Sequence, residues 1–192
     1  MSLSAVLLAG GKSSRMGVDK ATLLFRRRPL WRHQLETLGN LKPDRIFVSA
    51  QVDPAWRPAD VEFVADVQPS RGPLSGIAAA LSRTRNAHLI VLAIDMPFMT
   101  HDYLGALRQR VSPGCGVVPI IEDRAEPLAA IYPQELAAHF VDAMCGNDFS
   151  LQSLLRKLMN ARKVRRVTVS ENEKHFFRNL NQPGDLDTPS CS

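Results

Sequence analysis

Apolar positions along the chain fall into two patterns: short unbroken runs, and longer stretches in which they recur every three or four residues. Residues 5–8 (AVLL) carry no polar alternation, as expected of a strand covered on both faces in a parallel sheet. Residues 45–49 are of the same mostly buried type, and residues 88–94 (HLIVLAI) form the most apolar run in the chain, a central strand. Between the first two, residues 22–25 read as a short extended piece and Arg26-Arg27-Arg28 as a tight turn. Pro29 then suits the first turn of a helix, in which Leu30, Gln34, Leu35 and Leu38 recur at helical spacing until Gly39-Asn40. A surface connection with Pro54 and Pro58 follows, and residues 61–64 alternate like a strand nearer the sheet edge. Residues 70–76 (SRGPLSG) lead into a helical stretch at 77–81, and Thr100 caps a helix through Tyr103 and Leu104.

Beyond position 110 the pattern changes. Residues 116–120 and 127–132 read as two strands joined by the polar stretch 122–126, an antiparallel addition rather than another strand-helix-strand unit. Helices are expected at 133–144 and 150–159, the second with Leu151, Leu154, Leu155 and Leu158 on one stripe, then a strand at 164–169 with outward arginines and a frayed end at 188–192. These alternations predict one domain over 1–192 of α/β class, a three-layer Rossmann-like sandwich. Its central sheet is mostly parallel, with the antiparallel addition in the C-terminal half.

Composition narrows the setting. With 192 residues, 45% hydrophobic and 22% charged, the chain is long enough for one sizeable core. No apolar run is long enough to span a bilayer, and no basic N-terminal region precedes a long hydrophobic segment, so the expectation is a cytoplasmic protein without a membrane partner. Cys115, Cys145 and Cys191 are odd in number and widely spaced, which argues against a disulfide framework or a zinc site. The net charge of +5 suits an anionic partner. Clusters at 26–28 and 162–166 lack interleaved aromatics and any recognition motif, which argues against nucleic acid.

Candidate chemistry gathers in three places. After residues 5–8 come Ala9-Gly10-Gly11, Ser13, Ser14, Arg15, Gly17 and Asp19-Lys20. Glycines at the end of a buried strand let backbone amides approach an anion, and Arg15 and Lys20 add charge suited to a polyphosphate. A Walker loop is excluded because Val6 stands where its first glycine is required, and Gly10, Gly11 and Gly17 do not fit the dinucleotide fingerprint. The second place is the Gly72–Gly76 turn. The third is Asp95, at the carboxyl end of the central strand, where open α/β sheets bind ligands. One carboxylate there suits Mg²⁺ on a triphosphate.

The stretches LLAGGKSSRMGVDK, RGPLSGI, AIDMPF and RNLNQPGDL, in this order, resemble the molybdenum cofactor guanylyltransferases within the nucleotidyltransferase superfamily. The resemblance implies transfer of GMP from GTP to the phosphate of molybdenum-molybdopterin, with release of pyrophosphate. By similarity Leu8, Ala9, Gly10 and Gly76 line the nucleotide and Asp66 meets the nucleoside. Ser49 stands at a nucleoside position where the family often has Asn. Lys20 faces the transition-state charge, Arg15 with the Gly10 and Gly11 amides holds the leaving phosphates, and Asp95 binds Mg²⁺, with Mn²⁺ as the alternative ion. Asn181 matches a residue that helps hold the metal in related sugar nucleotidyltransferases. Residues 1–110 would form the nucleotide-binding half and 111–187 the acceptor half, and cofactor delivery proteins or molybdoenzyme apoproteins are further implied partners. The rival readings are a cytidylyl or sugar-phosphate nucleotidyltransferase of the same fold, and a non-catalytic cofactor carrier.

Overall fold

The computed structural model describes residues 1–10 and 19–180. Strand β1 (Leu3–Leu8) is buried along its whole length. A 3₁₀ turn at Lys20–Thr22 then leads into a hairpin of β2 (Leu24–Phe25) and β3 (Arg28–Pro29). Its two central residues, Arg26 and Arg27, have φ of 49° and 64°, the left-handed pair that a two-residue hairpin turn requires. The tight turn expected here is therefore present, built from arginines where Asn-Gly is the usual choice.

Helix α1 (Leu30–Gly39) starts directly after Pro29, and β4 (Arg45–Ala50) follows it. Strand β5 (Glu62–Ala65) lies at the sheet edge, as its alternation foretold. Helix α2 (Pro73–Arg83) begins four residues before the expected stretch at 77–81, with Pro73 in its first turn and Gly72 (φ 65°) as its N-cap. Strand β6 (His88–Ala93) is fully buried, and α3 (His101–Arg108) is capped by the Thr100 side chain, which accepts from the Tyr103 amide. In the second half β7 (Gly116–Ile121) folds back through β8 (Arg124–Ala125). Strand β9 (Ala129–Pro133) starts two residues later than the pattern suggested, because the chain still turns at 126–129, where the Ala129 amide donates to the Glu126 carbonyl. A 3₁₀ turn at Gln134–Leu136 precedes α4 (Ala137–Cys145), so this helix starts later than expected. Then come α5 (Leu151–Asn160) and β10 (Val164–Thr168), with Arg165 and Arg166 exposed.

Eight of the strands form one sheet ordered β10-β7-β9-β6-β1-β4-β5, with β8 attached to β7, while β2 and β3 form a separate two-stranded sheet. β1 is parallel to both neighbours, and β9 is wedged antiparallel between β6 and β7. Helices cover both faces, which makes the sandwich three-layered. Leu3, Ala5 and Leu7 of β1 pack toward α1 and α3, while Val6 and Leu8 pack toward α2, α4 and α5. Burial on both sides explains the uninterrupted apolar runs of β1 and β6. Among the described residues no helix is long and apolar enough to cross a membrane.

Candidate active site

The order of strands creates a cleft. From β1 the chain steps outward to β4 and β5, then returns to β6 on the other side of β1, so the order reverses between β1 and β6. Connections leaving such a point diverge to opposite faces and open a crevice at the carboxyl ends of the strands. A cavity of about 230 Å³ lies there. Its walls are Leu8-Ala9-Gly10 after β1, Asp19-Lys20, Gly72-Pro73 at the start of α2, Ala93-Ile94-Asp95 after β6, and Leu128 from the approach to β9.

Lys20 and Asp95 meet in this cleft, 3.8 Å apart between Nζ and Oδ2, with side chains 24% and 27% exposed. Lys20 Nζ also donates to the Leu180 carbonyl at 3.0 Å, and the Leu180 amide donates to the Asp95 carbonyl at 2.8 Å. The chain at Leu180 is thus stitched to the site. Burial pushes the Asp95 carboxyl above the ordinary carboxylate range, an effect the neighbouring Lys20 charge partly offsets. The turn around Asp95 is held from below by α1. Gln34, fully buried, donates through Nε2 to the Ala93 carbonyl at 3.1 Å and the Met96 carbonyl at 2.9 Å, and His33 Nε2 donates to the Pro97 carbonyl at 2.9 Å.

Lys20 sits on a tightly specified turn. Asp19 Oδ1 accepts from the Ala21 amide at 3.0 Å, and the Asp19 carbonyl accepts from the Thr22 amide and hydroxyl. Capping of this kind satisfies donors that a helix start leaves open.

Behind the cleft wall lies a second polar group. Ser49, fully buried at the end of β4, donates its hydroxyl to Asp66 Oδ1 at 2.6 Å, and Asp66 is only 7% exposed. Burial raises the Asp66 pKa, and the Ser49 bond pulls it back down. Two glycines make room for this pair. A Cβ on Gly10 would lie 2.7 Å from Asp66 Oδ2, and one on Gly76 would lie 2.9 Å from Ser49 Oγ and 3.0 Å from Leu8 Cδ2. The Gly10 amide, expected to face phosphates, instead donates to the Ser49 carbonyl at 3.1 Å, beside the Ala9 amide at 2.9 Å. Gly10 therefore contributes a missing side chain rather than a free donor.

Of the residues singled out from sequence, Leu8, Ala9, Gly10, Lys20 and Asp95 line one cleft, and Ser49, Asp66 and Gly76 stand together one layer behind it. Gly11, Arg15 and Asn181 lie outside the described residues. Asp19, Gln34 and Leu128 had not been assigned to the site. Gln34 carried a readable signal, a polar residue on an apolar helical stripe. Leu128 carried none, because only the pairing of β9 with β6 brings it there. Among the described residues no group of three or more His, Cys, Asp or Glu side chains could hold a metal ion.

Fold and cleft define an α/β protein of the kind that binds its ligand where the strand order reverses. The chain belongs to the MobA-like NTP transferase family, whose domain model matches residues 5–175, and it is accordingly a nucleotidyltransferase. A protein from Opitutus terrae named probable molybdenum cofactor guanylyltransferase is 35% identical over 188 residues, covering 96% of this chain and 93% of that one. The molybdenum cofactor guanylyltransferase of Syntrophotalea carbinolica is 34% identical over 193 residues, covering 96% and 89%. In fold the chain is similar to the crystal structure of molybdopterin-guanine dinucleotide biosynthesis protein A from Archaeoglobus fulgidus. The TM-score is 0.75 at 23% identity, over 95% of this chain and 94% of that one.

Proposed function

We propose that the protein transfers GMP from GTP to the phosphate of molybdenum-bound molybdopterin, forming the guanine dinucleotide cofactor and pyrophosphate. The observation that carries this reading is the Lys20–Asp95 pair, an ammonium and a carboxylate 3.8 Å apart in one cleft, close enough to meet a single triphosphate. The choice of guanine rests on the names of the relatives and on Gly10 and the GPLSG sequence at 72–76.

A phosphate monoester is already an oxyanion near neutral pH, so its attack on the α-phosphorus needs no general base. A bond forms from the acceptor phosphate oxygen to that phosphorus, the α,β-bridging bond breaks, and the electron pair leaves with pyrophosphate. The chain's task is to position two anions and to stabilise the charge that develops. Lys20 does so in this scheme, on the turn that Asp19 caps. None of the five described histidines lines the cleft: His33 bonds the Pro97 carbonyl, His88 lies near the Ser112 carbonyl at the other end of β6, His101 stands beside Asp102, His139 is on α4 and His175 packs against Phe176. Ser49 and Asp66 with the two facing glycines form the nucleoside end, and residues 111–187, which reach the cleft at Leu128, form the acceptor side.

Asp95 fits a divalent ion. Its carboxylate is a hard oxygen donor, desolvated enough to raise its pKa, and a single carboxylate is what Mg²⁺ or Mn²⁺ takes when phosphates and water complete its shell. When bound, such an ion would neutralise phosphate charge.

The test is pyrophosphate release from GTP, CTP and ATP in the presence of molybdenum-molybdopterin, with and without Mg²⁺. Release with GTP that depends on Mg²⁺ is expected. An equal or faster rate with CTP would make the protein a cytidylyltransferase, and nucleotide binding without turnover or metal dependence would make it a carrier.

A further inference from the structure

The chain has two tryptophans, and they touch each other beside the turn that carries Lys20. Trp31 projects from the first turn of α1 and Trp56 from the connection between β4 and β5. Their rings stack with centroids 5.6 Å apart and planes 15° from parallel. From that position Trp56 Nε1 donates to Asp19 Oδ2 at 2.9 Å, a contact across 37 residues of sequence. Both carboxylate oxygens of Asp19 thus carry a bond, Oδ2 from the indole and Oδ1 from the Ala21 amide. The connection that bears Trp56 is itself braced. Arg57 Nε and Nη2 both donate to the Asp53 carboxylate at 2.7 Å, and Arg57 Nη1 donates to the Pro58 and Val61 carbonyls.

Surface connections ordinarily vary without consequence, yet this one delivers an indole N–H to the carboxylate beside Lys20. A hydrogen bond to an ionised acceptor is among the stronger ones and is directional. The stack supports the plane of the donor, and the indole meets Asp19 in the rotamer that caps the turn. Lys20, on that turn, spans from there to the Leu180 carbonyl and Asp95.

We propose that Trp56 is a positioning residue for nucleotidyl transfer: through its N–H bond to Asp19 it sets the turn that aims Lys20 across the cleft. The proposal rests on the guanylyl-transfer reading above. Misplacement of a group that acts on transition-state charge lowers kcat more than it weakens substrate binding.

The experiment measures kcat and the KM for GTP in wild-type protein, Trp56→Phe and Trp31→Phe. Trp56→Phe is then repeated in a Lys20→Met background, with melting temperatures recorded throughout. Phenylalanine at 56 keeps an aromatic ring on Trp31 but has no N–H. Phenylalanine at 31 keeps the N–H bond and trims the stack. Trp56→Phe is expected to lower kcat about 10-fold with the KM for GTP within about twofold, and Trp31→Phe to stay within about twofold of wild type in both. In the Lys20→Met background the Trp56→Phe loss should shrink to under about twofold, since the group it positions is gone. The indole N–H resonance of Trp56, identified by its absence from Trp56→Phe, should shift when Mg²⁺ and GTP are added. A wild-type kcat in Trp56→Phe, equal losses from both tryptophan variants, or an undiminished loss in the Lys20→Met background would each overturn the positioning role. An inactive wild-type protein would instead overturn the transfer reading on which the proposal stands.

Discussion

The parallel and antiparallel parts of the sheet use close-packed glycine for opposite ends. In the parallel part all strands point the same way, so β1, β4, β5 and β6 bring Gly10, Ser49, Asp66 and Asp95 to one side of the molecule. A Cβ on Gly10 or Gly76 would strike the tips of the Asp66 and Ser49 side chains. In the antiparallel part a Cβ on Gly116 would lie 2.2 Å from the Ile131 carbonyl oxygen, which belongs to backbone and cannot step aside. The comparison teaches that the glycines beside the cleft are enclosed by side-chain tips, mostly polar, that can adjust. At Gly116, where backbone encloses it, the glycine serves strand packing.

Two substitutions in the cleft should give the largest effects. Lys20→Met and Asp95→Asn are each expected to reduce pyrophosphate release from GTP by roughly 10²–10³-fold in protein that still melts cooperatively. If either variant instead raised only the KM for GTP, the parallel part would be a binding surface without a charge-stabilising centre. Next comes the glycine contrast. Gly116→Ala should cost about 3 kcal/mol in urea unfolding, with an unaltered KM for GTP in the folded protein. Gly76→Ala should cost about 1 kcal/mol and, on the proposed nucleoside role of Ser49 and Asp66, raise that KM, because those neighbours must move to admit the methyl group. Equal stability losses at the two positions would erase the distinction.

A smaller effect concerns the buried carboxyl behind the cleft. The folded-state pKa of Asp66 is raised by burial, so the native protein holds its proton to higher pH than the unfolded chain does. The group therefore favours folding fully below the ordinary carboxylate range, and that contribution is lost as pH rises through the raised value. Asp66→Asn, still able to accept from Ser49, should melt above wild type at neutral pH. The advantage should fade as pH falls to about 4, and the nucleotide should bind less tightly. Thermal melts across pH check the sign. A variant less stable than wild type at pH 7 would mean that Asp66 is stabilised as an anion. The smallest change belongs to the hairpin outside both regions. Arg27→Gly relieves a positive φ of 64° and should stabilise by about 0.5–1 kcal/mol without touching turnover, measurable as a small upward shift in melting temperature.

Much of this architecture was legible along the chain. The apolar runs of β1, β4 and β6 announced strands covered on both faces, the cap at Thr100 follows from local chemistry, and the tight turn within Arg26–Arg28 was legible from its place before Pro29. The cleft was partly legible as well, since Lys20 and Asp95 flank strands that sequence alone puts in a parallel sheet. Boundaries were less readable where a proline or a turn decides between two local states, as at Pro73, where helix begins early, and at 126–129, where strand begins late.

Local periodicity, glycine positions and isolated charges specify elements and the side of the sheet they serve, because each depends on neighbours within a few residues. The tertiary structure alone decided that the Gly10 amide turns to the Ser49 carbonyl, that Gln34 braces the turn of Asp95, and that Trp56 reaches Asp19. Those contacts join positions 37 to 62 residues apart. Which carbonyl or carboxylate a donor finds at that range depends on the order of the strands, and no local pattern encodes that order.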